Sequence, residues 1–162
     1  MAKEVLLIKM AEMTVVKNSK LLKTTLGSCV GIILHDGENN VGGLAHILLP
    51  EPIRQDNSVG KYAETAIPAL YERVLKRGGF KKNIRAYLAG GANMFKWSSD
   101  KKIATVGQKN IAAVKRILGE LQIPIVFEDT GGECGRTVLF DNASGEIQVK
   151  TLGQPLAAGS AA

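Results

Sequence analysis

Apolar residues fall along this chain in short runs broken by turn-forming clusters. Residues 5–8 and 13–16 read as short strands, and Lys17-Asn18-Ser19-Lys20 reads as a turn. Residues 30–34 form an apolar run. Residues 35–40 have the character of a hairpin loop, and residues 41–49 are apolar again, with Gly42-Gly43 inside and Pro50 and Pro52 closing the segment. Between residues 62 and 76 the spacing of Ala63, Ala66, Ile67, Leu70 and Val74 makes one helical face. Pro68 interrupts that face, and proline in a helix interior costs about 3 kcal/mol. The pattern therefore predicts either a kink there or a separate first turn, with Gly78-Gly79 ending the helix. Residues 84–88 read as a strand, followed by a glycine-containing turn over 89–95. Residues 107–121 predict a second helix with Ile111, Val114, Ile117, Leu118 and Leu121 on one face. Residues 124–127 make a further strand and 131–135 a glycine-rich loop. Residues 138–140 and 147–149 make a closing hairpin across 142–145.

Strands outnumber helices and mostly neighbour one another in sequence. The expected fold class is α+β, a layered sandwich of mixed or antiparallel sheets with two long helices packed on them, not a run of alternating βαβ units. No internal repeat or linker divides the chain, so residues 1–152 are expected to form one domain. From Gly153 to the end there is no periodicity, and a disordered tail over 153–162 is expected.

Composition changes this picture little. The chain has 162 residues, 45% hydrophobic and 22% charged, enough to bury a core without disulfides or a metal. Its apolar runs are shorter than the roughly 20 residues a membrane span needs, and the apolar start is too short for a secretory signal core. Neither membrane insertion nor export is expected, which suggests the cytoplasm. The net charge of +6 suggests an acidic partner. Lys76-Arg77, Lys81-Lys82-Asn83-Ile84-Arg85 and Lys101-Lys102 read first as solvated helix ends and loops, and second as a docking surface for an acidic protein. Aromatics are only 5% of the chain, so stacking platforms for nucleic acid are scarce and none is expected as a partner.

The candidate chemistry lies in Thr24-Thr25-Leu26-Gly27-Ser28-Cys29-Val30-Gly31 and Ala45-His46-Ile47. If residues 30–34 and 41–49 pair across the loop at 35–40, positions 29 and 46 come roughly opposite. A thiol with an ordinary pKa of about 8.5 is a weak nucleophile near neutrality without a base. Cys29 and His46 would supply nucleophile and base, and Gly27-Ser28 would let a substrate amide approach the backbone N–H groups. Cys134, the second cysteine, has no comparable partner and reads as structural. The two histidines and two cysteines do not fall at zinc-site spacing, so no metal is expected. Gly90-Gly91 and Gly131-Gly132 complete no phosphate-loop motif and read as turns, with Gly90-Gly91-Ala92-Asn93 a candidate wall of the active-site cleft.

Taken together, several blocks resemble the CheD family of chemoreceptor glutamine deamidases. They are Leu26-Gly27-Ser28-Cys29 with Ala45-His46 and Leu49-Pro50, Gly60-Lys61-Tyr62-Ala63, Gly90-Gly91-Ala92-Asn93-Met94, Val106-Gly107-Gln108-Lys109-Asn110, Asp129-Thr130-Gly131-Gly132-Glu133-Cys134-Gly135-Arg136 and Asn142-Ala143-Ser144-Gly145-Glu146. The resemblance implies a fold similar to the catalytic domain of certain deamidating bacterial toxins. It also implies a cysteine–histidine–threonine site without cofactor, with Cys29 as nucleophile and His46 as base. The family's threonine stands six residues before the cysteine, where this chain has Lys23. Thr24 and Thr25 follow, and a one-residue shift would bring Thr24 into place. The implied activity is hydrolysis of glutamine side-chain amides in chemoreceptor cytoplasmic helices, with glutamyl methyl-ester hydrolysis as a side activity. The resemblance also implies an alternative, mainly regulatory role: binding and stimulating CheC, a phosphatase of the response regulator CheY.

Overall fold

The computed structural model describes residues 2–53, 56–94, 104–152 and 156–160. The expected basic pair Lys101-Lys102 lies outside them. In chain order the strands are β1 (Glu4–Leu7), β2 (Met13–Lys17), β3 (Lys20–Leu26), β4 (Val30–Asp36) and β5 (Val41–Ile47). Helix α1 (Ala63–Lys76) and β6 (Ile84–Gly90) follow, then α2 (Val106–Glu120). The chain continues through β7 (Ile125–Thr130), β8 (Arg136–Asp141), β9 (Glu146–Thr151) and β10 (Leu156–Ser160).

The strands form two five-stranded sheets, ordered β1-β3-β8-β9-β10 and β2-β5-β4-β6-β7. Each holds one parallel pair, β1 with β3 and β6 with β7, and is otherwise antiparallel. The β6–α2–β7 stretch is thus a single crossover unit, which a parallel pair requires. The architecture is α+β, as the pattern predicts, and consists of three layers: sheet, sheet, helices.

Alternation along β4 and β5 builds both cores. Val30, Ile32, Leu34, Ala45 and Ile47 join Ala63, Ala66, Ile67 and Leu70 of α1 and Val114, Ile117 and Leu118 of α2. Ile33 and Leu44 point the other way, toward Leu22, Leu26, Val138, Phe140, Ile147 and Val149 of the facing sheet. All of β4 and β5 is buried. A strand covered on both faces reads as a continuous apolar run, which is why the hairpin is plain in the sequence.

Three features depart from the sequence pattern. The pattern gives no strand at Lys20–Leu26, yet β3 pairs with both β1 and β8. Its inward positions are Leu22, Thr24 and Leu26, so a buried threonine interrupts the alternation that would reveal it. Pro68 does not separate the first turn; it lies inside a continuous α1 on the exposed side. Its missing N–H strands only a carbonyl that water can reach. The expectation of a structureless tail is corrected at Leu156–Ser160, which pairs antiparallel with β9. The edge of β9 pairs with this strand through a backbone ladder, and the sequence there carries no apolar alternation to announce it.

Helix α1 approaches β5 closely because Gly43 has no side chain. A Cβ there would lie 2.8 Å from Leu70 Cδ1, 2.8 Å from Val15 Cγ2 and 2.9 Å from the Thr14 carbonyl oxygen. Gly43→Ala should therefore destabilise the chain by about 1–3 kcal/mol through overpacking, read as a lower midpoint in urea. An unchanged midpoint would show that the helix layer can move off the sheet.

Candidate active site

β3 belongs to the first sheet, and its period of two sends Leu22, Thr24 and Leu26 inward while Lys23 and Thr25 face out. Thr24 is 0% exposed. The outward Thr25 Oγ1 lies 3.4 Å from Thr137 Oγ1. Of the three residues that could serve as the third site member, only Thr24 points between the sheets.

Facing it from the second sheet is His46, 3% exposed. It shares its face of β5 with Leu44. The Thr24 hydroxyl donates to the Ile8 carbonyl oxygen at 2.7 Å and lies 2.8 Å from His46 Nδ1. A hydroxyl has one proton, and Ile8 takes it. His46 Nδ1 must therefore carry the N–H that donates to Thr24 Oγ1, which leaves Nε2 as the free lone pair. A strand from each sheet thus fixes one imidazole tautomer and ring orientation.

Cys29 immediately precedes β4 and packs partly buried against the inter-sheet core. Gly31 stands directly opposite His46 in the β4–β5 ladder. Cys29 stands one residue before Val30, the last paired position of β4, and packs on the inter-sheet cluster to which Leu44, on the same face of β5 as His46, also belongs.

The segment carrying the thiol is held from β6. Gly91 N–H donates to the Cys29 carbonyl at 2.8 Å, and Ala92 N–H to the Gly27 carbonyl at 3.0 Å. Gly90 makes this approach possible: its φ is +105°, and a Cβ there would lie 2.2 Å from the Cys29 carbonyl oxygen. Behind it, Arg136 donates from Nη1 to the Gly90 carbonyl at 2.9 Å and from Nη2 to the Gly131 carbonyl. Its Nε lies 3.2 Å from Asp129 Oδ1. Sequence reasoning reads both glycine pairs as turns, with Gly90-Gly91 a candidate wall of the cleft, and does not single out Arg136. The only signal is an arginine closing a glycine-rich loop, which many surface turns also show. Cys134 is a second free, partly buried thiol. Among the described residues, no group of three or more His, Cys, Asp or Glu side chains could hold a metal.

Burial sets the electrostatics. It pushes the Cys29 thiol above its ordinary range, and a hydrogen bond from the residue's own backbone N–H offsets this in part. Burial pushes His46 below its ordinary value, against the upward pull of the Ile8 carbonyl and the Glu12 charge. Thiol and imidazole are therefore both neutral near pH 7.

The fold and these side chains define a class: an α+β sandwich with a thiol, an oriented imidazole and a buried hydroxyl at one end of its inter-sheet core. A solved Neisseria meningitidis protein of family-model DUF152 shares the fold, with a TM-score of 0.50 at 10% identity over 80% of this chain and 64% of that one. The family model described as CheD chemotactic sensory transduction matches residues 48–151. A Clostridium novyi protein named as a probable chemoreceptor glutamine deamidase CheD is 43% identical over 86% of this chain and 87% of its own length. One of the same name from Desulforamulus reducens is 41% identical over 85% of this chain and 84% of its own. The chain belongs to the CheD family.

Both histidines carry a stability signature. His35 is also buried, with its value pushed below the ordinary one mainly by burial. An unfolded chain takes up these protons near pH 6.5, whereas the folded chain does so only at lower pH. The stabilisation is thus complete above that value and is lost as pH falls below it. Melting temperature should be flat between about pH 8 and 7 and decline from about pH 6.5 downward. Calorimetry across that range tests this, and a flat melting temperature to about pH 5 would contradict it.

Proposed function

We propose that this chain hydrolyses glutamine side-chain amides of chemoreceptors to glutamate and ammonia, with Cys29 as nucleophile and His46 as base. The observation that carries the reading is the Thr24–His46 hydrogen bond, with the hydroxyl proton already committed to Ile8. That arrangement leaves Nε2 as the nitrogen free to act as base. The relatives' names supply the substrate class.

The steps follow from two neutral partners. Cys29 Sγ attacks the amide carbon as its proton passes to His46 Nε2. The carbonyl oxygen becomes an oxyanion, and the Cys29 backbone N–H, which interacts with the residue's own sulfur, is the donor we assign to it. Thr24 accepts from Nδ1–H throughout and steadies the imidazolium. The proton then moves from Nε2 to the departing nitrogen, the C–N bond breaks, and ammonia leaves a thioester. Water attacks that thioester, giving one proton to His46 that returns to sulfur as the C–S bond breaks. The receptor gains a carboxylate. Receptor cytoplasmic helices as substrate place the protein in the cytoplasm on this reading. Methyl-ester hydrolysis and CheC binding rest on the family resemblance alone.

Incubation with receptor should raise receptor mass by about 1 Da per glutamine converted, the amide-to-acid difference of acyl transfer. Cys29→Ala should abolish the shift, and deamidation by that variant at the wild-type rate would sink the mechanism. Thr24→Val should lower kcat about 10–100-fold, or about 1.4–2.7 kcal/mol of barrier. Lys23→Ala and Thr25→Val, at outward positions, should stay within about threefold. Equal losses at all three positions would contradict the assignment of Thr24.

Activity needs neutral His46, whose value lies below the ordinary 6.5. The rate at saturating substrate should stay level as pH drops from about 7.5 to 6.5 and decline with one proton only below that. A decline already complete at about pH 6.5 would mean that the base is another group.

A further inference from the structure

Asn110 of α2 is 0% exposed. It is the polar residue that the helix layer inserts between the ends of β4 and β5. Its Nδ2 donates to the Ser28 carbonyl at 3.1 Å and to the Leu48 carbonyl at 2.8 Å. Two acceptors on one side fix the amide's orientation: the NH2 must face them, and Oδ1, buried and without a partner, must face away.

Both carbonyls flank the site. Leu48 lies two residues after His46, and Ser28 directly precedes Cys29. The β4–β5 ladder ends at Val30 paired with Ile47, so Asn110 ties together residues just beyond that end. The Ser28 carbonyl also belongs to the same peptide unit as the Cys29 N–H. In a trans peptide these two groups point in opposite directions; the chain has no cis bonds among its described residues. A donor that pins the Ser28 carbonyl toward α2 therefore aims the Cys29 N–H away from α2, toward the thiol. Hydrogen bonding to the carbonyl also polarises the peptide and strengthens its N–H as a donor.

We propose that Asn110 is a positioning residue for the reaction: by gripping the Ser28–Cys29 peptide it aims the backbone N–H that receives the oxyanion. This rests on the amide-hydrolysis reading above. A purely structural role has a built-in comparison at the other end of the same hairpin. There Asn142, also 0% exposed, donates from Nδ2 to the Asn18 carbonyl at 2.9 Å and the Asn40 carbonyl at 3.0 Å, again with Oδ1 unpartnered. The two asparagines make the same kind of staple, but only one grips a peptide of the site.

Asn110→Leu and Asn142→Leu, each of similar volume without the donors, separate the roles. Both should lower the melting temperature. Asn110→Leu should lower kcat about 100-fold, the order expected for loss of one oxyanion donor, with KM within about threefold and the acid limb of the pH profile unmoved. Asn142→Leu should keep kcat within about threefold below its melting transition. If Asn110→Leu does not fold, Asn110→Ser, which offers one donor at most, carries the same expectation. An active wild type with Asn110 variants at full kcat, or with Asn142→Leu losing as much, overturns this proposal alone. A wild type that leaves receptor mass unchanged removes the hydrolysis reading and this proposal with it.

Discussion

The β4–β5 hairpin is buried on both faces, and the rest of the molecule follows from that. Apolar residues satisfy both cores by alternation. Every polar group that enters must bring a partner, because an unpaired buried donor or acceptor costs about 1–3 kcal/mol. His35 meets it with the Asn142 carbonyl, at 2.8 Å from Nε2. Asp36 accepts the backbone N–H groups of Glu38, Asn39 and Phe80. His46 meets it with Thr24. An imidazole in this layer must have a defined tautomer, and the free nitrogen left over has a defined direction. The chemistry of the site is thus a by-product of the rule that makes the hairpin foldable.

How much of this was legible depends on which partner came from where. His46 lies on β5 and Cys29 immediately precedes β4, two strands joined by a short loop, so the hairpin pattern alone brings the two residues to the same end of the molecule. Thr24 comes from the other sheet. Nothing local links it to His46, and the strand that carries it is hidden by the same residue: a buried threonine where alternation calls for an apolar one. Lys23, Thr24 and Thr25 become distinguishable only once β3 is paired and its inward face is known. Arg136 and Asn110 were less legible still. Their partners are backbone carbonyls, and a carbonyl has no letter in the sequence.

Burial also decides what kind of thiol chemistry is open to the site. A cysteine–histidine pair can rest as thiolate and imidazolium, or as two neutral groups. Here desolvation disfavours the charged form of each partner, moving Cys29 up and His46 down. The orienting group is a hydroxyl that donates elsewhere, not a carboxylate that would hold imidazolium at rest. On the proposed mechanism charge develops only during attack, and fixed dipoles already in place would supply its stabilisation. That requirement explains why so much of the surrounding structure grips peptide units and not side chains. Gly91 and Ala92 hold the Cys29 and Gly27 carbonyls, Arg136 holds Gly90, and Asn110 holds Ser28.

Fixed dipoles work only if their peptides cannot rotate, and rotation is easiest where a ladder ends. The thiol lies just past the last β4–β5 pair, where the ladder no longer restrains the backbone. At the opposite end the hairpin closes on itself through residues 37–40 and needs no further restraint for chemistry. The open end is instead restrained by the Gly90-Gly91-Ala92 stretch that ends β6 and by Asn110 of α2, with Arg136 of β8 bracing Gly90 from behind. A segment just past a strand end is thus tied to its neighbours on two sides, by the backbone after β6 and by a side chain of α2.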